Sequence, residues 1–548
     1  MARRFTVTPG LLTFLTSAYV IVALNGGFWT KLFAVVQPAG VMDYLFIAAF
    51  AATLVAILNT ALSLFAFPLV LRPVAMVLVV ASASLAYFVH EFGTAIDINM
   101  VRNLLETDSR EAIDFATPGL FGFIILMGIV PALLIACVPI SWRPTPQQPF
   151  ANLAHSSISG AVAVVLILAF FANFASVIRG NRGLLFVLVP SNAIAAGSKY
   201  FGHKESPKLG AIGAFGEDAR RDAAAPATTR PLVTVLVVGE TARSANFSLN
   251  GYDRPTNPRM SAIDGLLSFK DVSSCGTDTA HSLPCMFSGL SAADFTVQKA
   301  AAQENLLDIL HRTGLDVLWR DNQSGCKGVC RRIATENLAK PNGAAFYADR
   351  ESHDEVLLEG LAPKLEAMKG GGVVVLHMIG SHGPAYFMRV PSSFARFQPT
   401  CNSRQFSNCT NQQIVNSYDN TILYTDHVLG ELIEILRGVN AKGADTAMIY
   451  VSDHGESLGE KGLYLHGMPR ALAPKEQTHI PMILWASSST QTRLGIDMEC
   501  TQEVAAAKAV SHDNLFHTVL GMFAVHTRLY DQRLDILQRC RTSRANRT

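Results

Sequence analysis

Five long apolar runs occupy the first third of this chain: Leu11–Trp29, Tyr44–Val70, Val74–Val89, Leu120–Ile140 and Ile158–Ile178. Nothing else in the sequence constrains the fold as much. An apolar segment of about 20 residues matches a hydrocarbon core of roughly 30 Å, and it can cross only as a helix that satisfies its own backbone. The third run is the shortest, bounded by Arg72 and by His90–Glu91. A cleaved signal peptide would account for the first run but not for the four that follow. The expectation is a five-helix transmembrane domain over residues 1–178.

Basic residues in the short loops orient such a domain. Arg3 and Arg4 precede the first run, Arg72 lies between the second and third, and Arg143 between the fourth and fifth. All three positions fall on one side, which is therefore read as cytoplasmic, and everything after Ile178 is placed outside. Arg102 and Arg110 fall on the opposite side, but among Glu106, Asp108, Glu111 and Asp114. The cysteines agree. Of nine, only Cys137 lies within a run; the other eight all follow the last one. Their spacing suggests disulfides Cys275–Cys285, Cys326–Cys330 and Cys401–Cys409, as expected in an oxidising compartment. Cys500 and Cys540 are left as a candidate fourth pair. Zinc ligation by Cys326 and Cys330 would need a second Cys or His pair nearby, and none is there. The net charge of +2, with no basic stripe interleaved with aromatics, gives no argument for nucleic-acid binding.

Residues 179–230 change character. They are rich in Ala, Gly and charge, and read as a connector with interfacial helices, Tyr200 and Phe201 resting at a membrane surface. Residues 231–548 form the second domain. It opens with Pro231-Leu-Val-Thr-Val-Leu-Val-Val-Gly-Glu, a β-branched run that suits a strand buried on both faces. Similar runs begin at Val373 and Thr446, with helical patterns at Asn305–Arg312 and Ile414–Leu436 between them. Strands alternating with helices predict a mostly parallel α/β sheet. Ligands bind beyond the carboxyl ends of such strands. Glu240, the segment from His377 to His382, and Asp453–His454 all stand at those ends.

Glu240, Asp453 and His454 are ligand types that suit zinc, and three of them leave a coordination position open. The segment from Ser273 to Cys285 supplies hydroxyl nucleophiles, Thr277 and Thr279. A metal ion activates such a hydroxyl, and a helix start offers free N–H groups to phosphate oxygens. The residues themselves leave the choice between the two threonines open, since either could serve as a helix cap. His377, inside a buried strand, reads as structural.

The motifs Val-Val-Gly-Glu-Thr-Ala-Arg at 237–243, Cys275-Gly-Thr-Asp-Thr-Ala, Ser381-His-Gly-Pro-Ala-Tyr, Ser452-Asp-His-Gly-Glu-Ser-Leu-Gly-Glu and Tyr464-Leu-His-Gly-Met-Pro resemble those of the lipid A phosphoethanolamine transferases. That group includes the mobile colistin-resistance enzymes. The resemblance runs from the first apolar run to about residue 530. It implies a multi-pass α-helical membrane domain followed by an alkaline-phosphatase-like (sulfatase-like) α/β domain. It implies Thr279 as the phosphorylated nucleophile, beside one catalytic zinc held by Glu240, Thr279, Asp453 and His454, and it leaves room for a second ion during turnover. His382 and His466 would line the donor or second-metal site, and Lys327 would lie near the substrate phosphate. Glu456 belongs to the Asp-His-Gly-Glu motif. Asn103, Thr107 and Glu111 match polar residues of an outer loop, and their i, i+4, i+8 spacing predicts one helix face. Departures are Gln323, where some relatives carry Asn, and the Cys326/Cys330 pair, which some branches lack.

The implied reaction is a two-step phosphoryl transfer in the bacterial inner membrane, with the catalytic domain in the periplasm. Thr279 takes phosphoethanolamine from phosphatidylethanolamine, diacylglycerol leaves, and a lipid A phosphate accepts the group. The lipopolysaccharide so modified binds polymyxin less well. Rival acceptors are core sugars of lipopolysaccharide or another periplasmic glycan. The sulfatase signature Cys-x-Pro-x-Arg does not occur at 275–279. A non-catalytic membrane binding protein would not need every ligand type that is present.

Overall fold

In the computed structural model, which describes residues 6–106, 109–204, 212–221, 230–339, 347–348 and 351–542, the first apolar run does not cross as one straight helix. Asn25 interrupts it. Its amide donates to the carbonyls of Val20 and Val189, both at 2.9 Å, and its oxygen accepts the Val189 N–H at 2.8 Å. A buried amide in an apolar run must find partners, and here it finds them by unwinding the helix. The run becomes α1 (Pro9–Ala23) and α2 (Gly26–Val36), bent by 63°. Among the described residues, four further helices are long and apolar enough to span a membrane: α3 (Val41–Ser63), α4 (Leu71–Phe92), α5 (Pro118–Cys137) and α6 (Gln148–Ala169).

The third run is thus a full-length helix despite its charged margins. The Arg72 guanidinium, near the start of α4, donates to the Val138 carbonyl at 2.7 Å. Gly93 ends α4 in the left-handed conformation. Helix α6 begins ten residues before the apolar run at Ile158. Its polar start is satisfied by neighbours: Gln148 and Asn152 both donate to the Ala66 carbonyl, and Ser156 donates to the Thr60 carbonyl.

These contacts sort the ends of the helices. Val7 pairs with the segment Pro139–Ser141, Arg72 with Val138, and Gln148 with Ala66. Arg143 donates its N–H to Gln148 and joins the same end. At the other end Lys31 reaches the Gly93 carbonyl, and Ile96 pairs with Phe186. With the bent pair α1–α2 taken as one span, five passes among the described residues connect the two ends. Arg3 and Arg4 lie outside the described residues. Of the helix expected through Asn103, Thr107 and Glu111, the described stretches Ile98–Glu106 and Ser109–Phe115 are helical. Thr107 itself lies outside the described residues.

The chain divides into two compact units, the first built from Met1–Leu105 and Ser109–Lys204, the second chiefly from Glu205–Thr548. The second unit is organised by seven strands: β1 (Leu232–Gly239), β2 (Leu267–Phe269), β3 (Asp316–Asp321), β4 (Ala334–Asn337), β5 (Gly372–His377), β6 (Asp445–Ser452) and β7 (Met482–Ala486). Their order is β2-β7-β6-β1-β5-β3-β4. The five strands from β6 to β4 are parallel; β7 and β2 are antiparallel at one edge. Every residue of β1 and β6 is buried, as a sheet covered on both faces requires. The covering helices include α7 (Thr279–Ser288), α8 (Asn411–Ala441) and α9 (Asp513–Met522). Leu283, Phe287, Trp319, Val375, Ile449 and Phe516 share one core.

Register decides which residues meet at the carboxyl ends. Ser452 stands opposite Gly239, Val238 opposite His377, and His377 opposite Asp321. A separate two-residue strand, Val272–Ser273, pairs in parallel with Val510–Ser511, just before α9. Four disulfides brace this unit: Cys275–Cys285, Cys326–Cys330, Cys401–Cys409 and Cys500–Cys540. The last joins the pair that sequence spacing left open.

Candidate active site and metal centre

Glu240 is the first residue beyond β1, and Asp453 and His454 are the first two beyond β6. Because these strands are neighbours in register, their next residues converge. All three side chains are fully buried, and one ligand atom from each lies within 4.8 Å of the others. Backbone and side-chain groups together hold these ligands in place. Asp453 Oδ1 accepts the N–H groups of Thr241 and His454 at 3.1 and 2.8 Å. Thr241 and Gln323 donate to the two oxygens of Glu240 at 2.6 and 2.9 Å. His454 Nδ1 lies 2.9 Å from the Gly455 carbonyl, so Nδ1 carries a proton and Nε2 is turned toward the cluster. Nε2 sits 3.5 Å from Glu240 Oε1 and 3.4 Å from Asp453 Oδ2.

One oxygen, Asp453 Oδ2, is buried and accepts no hydrogen bond. Burial and the Glu240 charge push Asp453 up to about 6. Burial works against ionisation of Glu240 as well, but His454, His382 and His466 hold it down at about 2. Burial opposes the charging of His454, yet the two carboxylates raise it to about 9. Two carboxylates face a single imidazole here, and an orphaned oxygen and the imidazole Nε2 point inward. A divalent metal ion fits that donor set.

Thr279, the first residue of α7, points its hydroxyl at this cluster: 3.1 and 3.4 Å from the Glu240 oxygens and 3.3 Å from His454 Nε2. Thr277 turns away and donates to the Met468 carbonyl at 2.6 Å. Neither threonine caps the helix. That place belongs to Asp278, which accepts the His281 N–H at 3.0 Å. Geometry thus separates two hydroxyls that the sequence left equivalent.

The two further histidines come alongside. The His466 ring lies 4.4 Å from that of His454 and 5.9 Å from that of His382. Glu456, fully buried and pushed up by that burial, has Oε2 3.1 Å from His466 Nδ1. The segment carrying His382 is held by Asp354, whose two oxygens accept the N–H groups of Ile379 and Gly380 at 2.9 Å. Gly380 has φ +49, and a Cβ there would stand 2.7 Å from the Glu240 carbonyl oxygen, so only glycine fits. Lys327 donates to Ser324 at 3.0 Å within the Cys326–Cys330 loop and adopts φ +46. His377 is fully buried with Nδ1 3.2 Å from Asp321, in keeping with a structural role. Asn103 lies half-buried on its helix in the first unit, and the Glu111 side chain is outside the described set.

Sequence reading missed Asp354 and the hydrogen bond from Gln323 to Glu240. It also missed His512, whose ring contacts both the loop leading to Thr279 and the end of β6. Asp354 lies far from Gly380 in sequence and belongs to no motif, so no local signal marked it.

Two family models match, "Sulfatase" over residues 233–525 and "Phosphoethanolamine transferase EptA/EptB" over residues 54–204. The chain is similar to phosphoethanolamine transferase EptA of Salmonella typhimurium, 38% identical over 99% of each chain. It is also similar to phosphatidylethanolamine transferase Mcr-1 of Escherichia coli, 35% identical over 95% of this chain and 96% of that one. Among solved structures it matches the integral membrane lipooligosaccharide phosphoethanolamine transferase A of Neisseria meningitidis. The TM-score is 0.93 at 36% identity, covering 98% of this chain and 100% of that one. Likeness of that extent, through both units and through the strand ends where the triad stands, shows that the chain belongs to the phosphoethanolamine transferase family.

Proposed function

We propose that the protein moves phosphoethanolamine from phosphatidylethanolamine to a phosphate of lipid A by way of a phosphothreonine at Thr279. The observation that carries this reading is the contact of the Thr279 hydroxyl with Glu240 and His454. In this reading Glu240, Thr279, Asp453 and His454 hold one zinc ion. When bound, such an ion supplies the positive charge that makes a threonine hydroxyl nucleophilic and steadies charge on phosphoryl oxygens.

The chain's own groups do the rest. Thr279 Oγ1 forms a bond to the donor phosphorus as the bond from phosphorus to the diacylglycerol oxygen breaks. His382 or His466 protonates that leaving oxygen. An acceptor phosphate oxygen then attacks phosphothreonine, and the Thr279 oxygen leaves. Lys327 adds charge beside the phosphoryl oxygens, and the N–H groups at the start of α7 face the same region. On the family pattern, Asn103, Thr107 and Glu111 contact a lipid substrate. Residues 1–178 serve as the anchor in the bacterial inner membrane and 179–230 as the connector, with 231–548 catalysing in the periplasm. The names of relatives support the substrates: phosphatidylethanolamine for the Mcr-1 protein and lipooligosaccharide for the Neisseria enzyme.

The test is peptide mass spectrometry after incubation with donor alone, with lipid A then added as acceptor. A phosphoethanolamine adduct on Thr279 that is discharged to lipid A is the expected result. An adduct on Thr277, or turnover by Thr279→Ala, would overturn the reading. Impermeant thiol labelling of Lys461→Cys in spheroplasts tests the side of the membrane; labelling only after permeabilisation contradicts a periplasmic catalytic unit.

A further inference from the structure

His512 is almost wholly buried between the strand Val510–Ser511 and α9. Its two ring nitrogens reach two different catalytic segments. The Cys275 N–H donates to Nδ1 at 3.0 Å, and Nε2 lies 2.9 Å from the Ser452 carbonyl oxygen. A backbone N–H only donates and a carbonyl only accepts, so the tautomer is set: Nδ1 is bare and Nε2 carries the proton. The His512 backbone N–H is also engaged, donating to the Ser273 carbonyl at 3.1 Å. Four residues after Cys275 comes Thr279; directly after Ser452 come Asp453 and His454.

The strand Val272–Ser273 that leads to Thr279 and the strand β6 that leads to Asp453 belong to different sheets. The imidazole joins them directly, through one acceptor and one donor. Histidine suits this place because a neutral ring offers both functions at opposite edges of one rigid plane. We propose that His512 is a positioning residue for phosphoryl transfer, a strut that holds the nucleophile loop at a fixed distance from the end of β6. The proposal rests on the reading of Thr279 as nucleophile. It adds that the Thr279 hydroxyl stays within reach of Glu240 and His454 because His512 spans the gap behind them.

The experiment uses the full-length, zinc-loaded enzyme in detergent with a phosphatidylethanolamine donor. It compares His512→Ala, His512→Asn and His512→Gln by kcat, KM, zinc content and folded fraction. A displacement of about 1 Å at a reacting group costs on the order of 10²-fold in rate, so His512→Ala should lose about that much kcat. KM should stay within about twofold and zinc content unchanged, since a misplaced nucleophile weakens the transition state and not ground-state binding. Asn keeps an acceptor toward Cys275 and Gln a donor toward Ser452, so each should recover part of the lost kcat. A His512→Ala kcat within about threefold of the parent would overturn the proposal. So would a loss that merely tracks the folded fraction, a rise in KM at constant kcat, or amide variants no better than Ala. If His512→Ala does not fold, the amide variants decide: reduced kcat at full folded fraction supports the strut, and unchanged kcat refutes it. Thr279→Ala is run in parallel; activity there defeats the nucleophile reading itself, whatever His512 does.

Discussion

Breaking the four disulfides one at a time should separate stability from catalysis. Cys275–Cys285 spans a sequence separation of 10, and Cys500–Cys540 one of 40. Chain-entropy arithmetic then gives about 2.7 kcal/mol for the shorter loop and about 3.9 kcal/mol for the longer. The difference is about 2 °C in melting temperature for a unit of this size. Activity should run the other way. Cys275 stands in the loop that delivers Thr279, and its partner lies within α7 itself, so this bridge ties the two flanks of Thr279, the proposed nucleophile, together. Cys500–Cys540 joins the helix Met498–Ala507 to the segment after Leu537, and neither supplies a triad residue. Cys500→Ser/Cys540→Ser should therefore show the larger fall in melting temperature by scanning fluorimetry, yet transfer within about threefold of the parent. Cys275→Ser/Cys285→Ser should melt less early but lose on the order of 10²-fold in transfer. If activity follows the order of melting temperature, the bracing argument is wrong.

Three further outcomes follow from the same geometry. Gln323→Leu removes the 2.9 Å hydrogen bond to Glu240 and should weaken metal binding by about 10- to 100-fold, read by chelator competition; unchanged affinity refutes a tuning role. Thr277→Val loses only the bond to the Met468 carbonyl, so it should cost about 1 kcal/mol in denaturant titration while Thr279→Val abolishes transfer; equal loss in both would undo the distinction. Burial, with His454 and Arg470 nearby, pushes His512 down to about 4, below the ordinary value near 6.5. The unfolded chain then binds the proton first, so stability is full above about pH 6.5 and falls by about 3 kcal/mol as pH drops toward 4. His512→Asn should flatten that acid limb, and an unchanged limb in denaturant midpoints would exclude His512 as its source.

The amino-acid order by itself determined the membrane passes, the parallel sheet and the residue types of the metal centre. Those features have short-range signatures: apolar length, β-branched runs, and ligand residues placed directly after strands. The broken first helix was not legible, because Asn25 unwinds it only by finding Val189, which is distant in sequence. The full length of α4 was obscured by Arg72, whose charge the Val138 carbonyl accommodates. Thr277 and Thr279 are alike in composition and neighbourhood, and only the direction of α7 relative to β1 and β6 separates them. Cys500 and Cys540 carry no local spacing cue, since nothing along the chain says that their ends meet. His512 is the sharpest case. It acts through two backbone groups, Cys275 N–H and the Ser452 carbonyl, and a backbone partner leaves no trace in residue identity. Contacts between sequence-distant backbone groups exist only once the sheets have packed, so tertiary structure alone could reveal them.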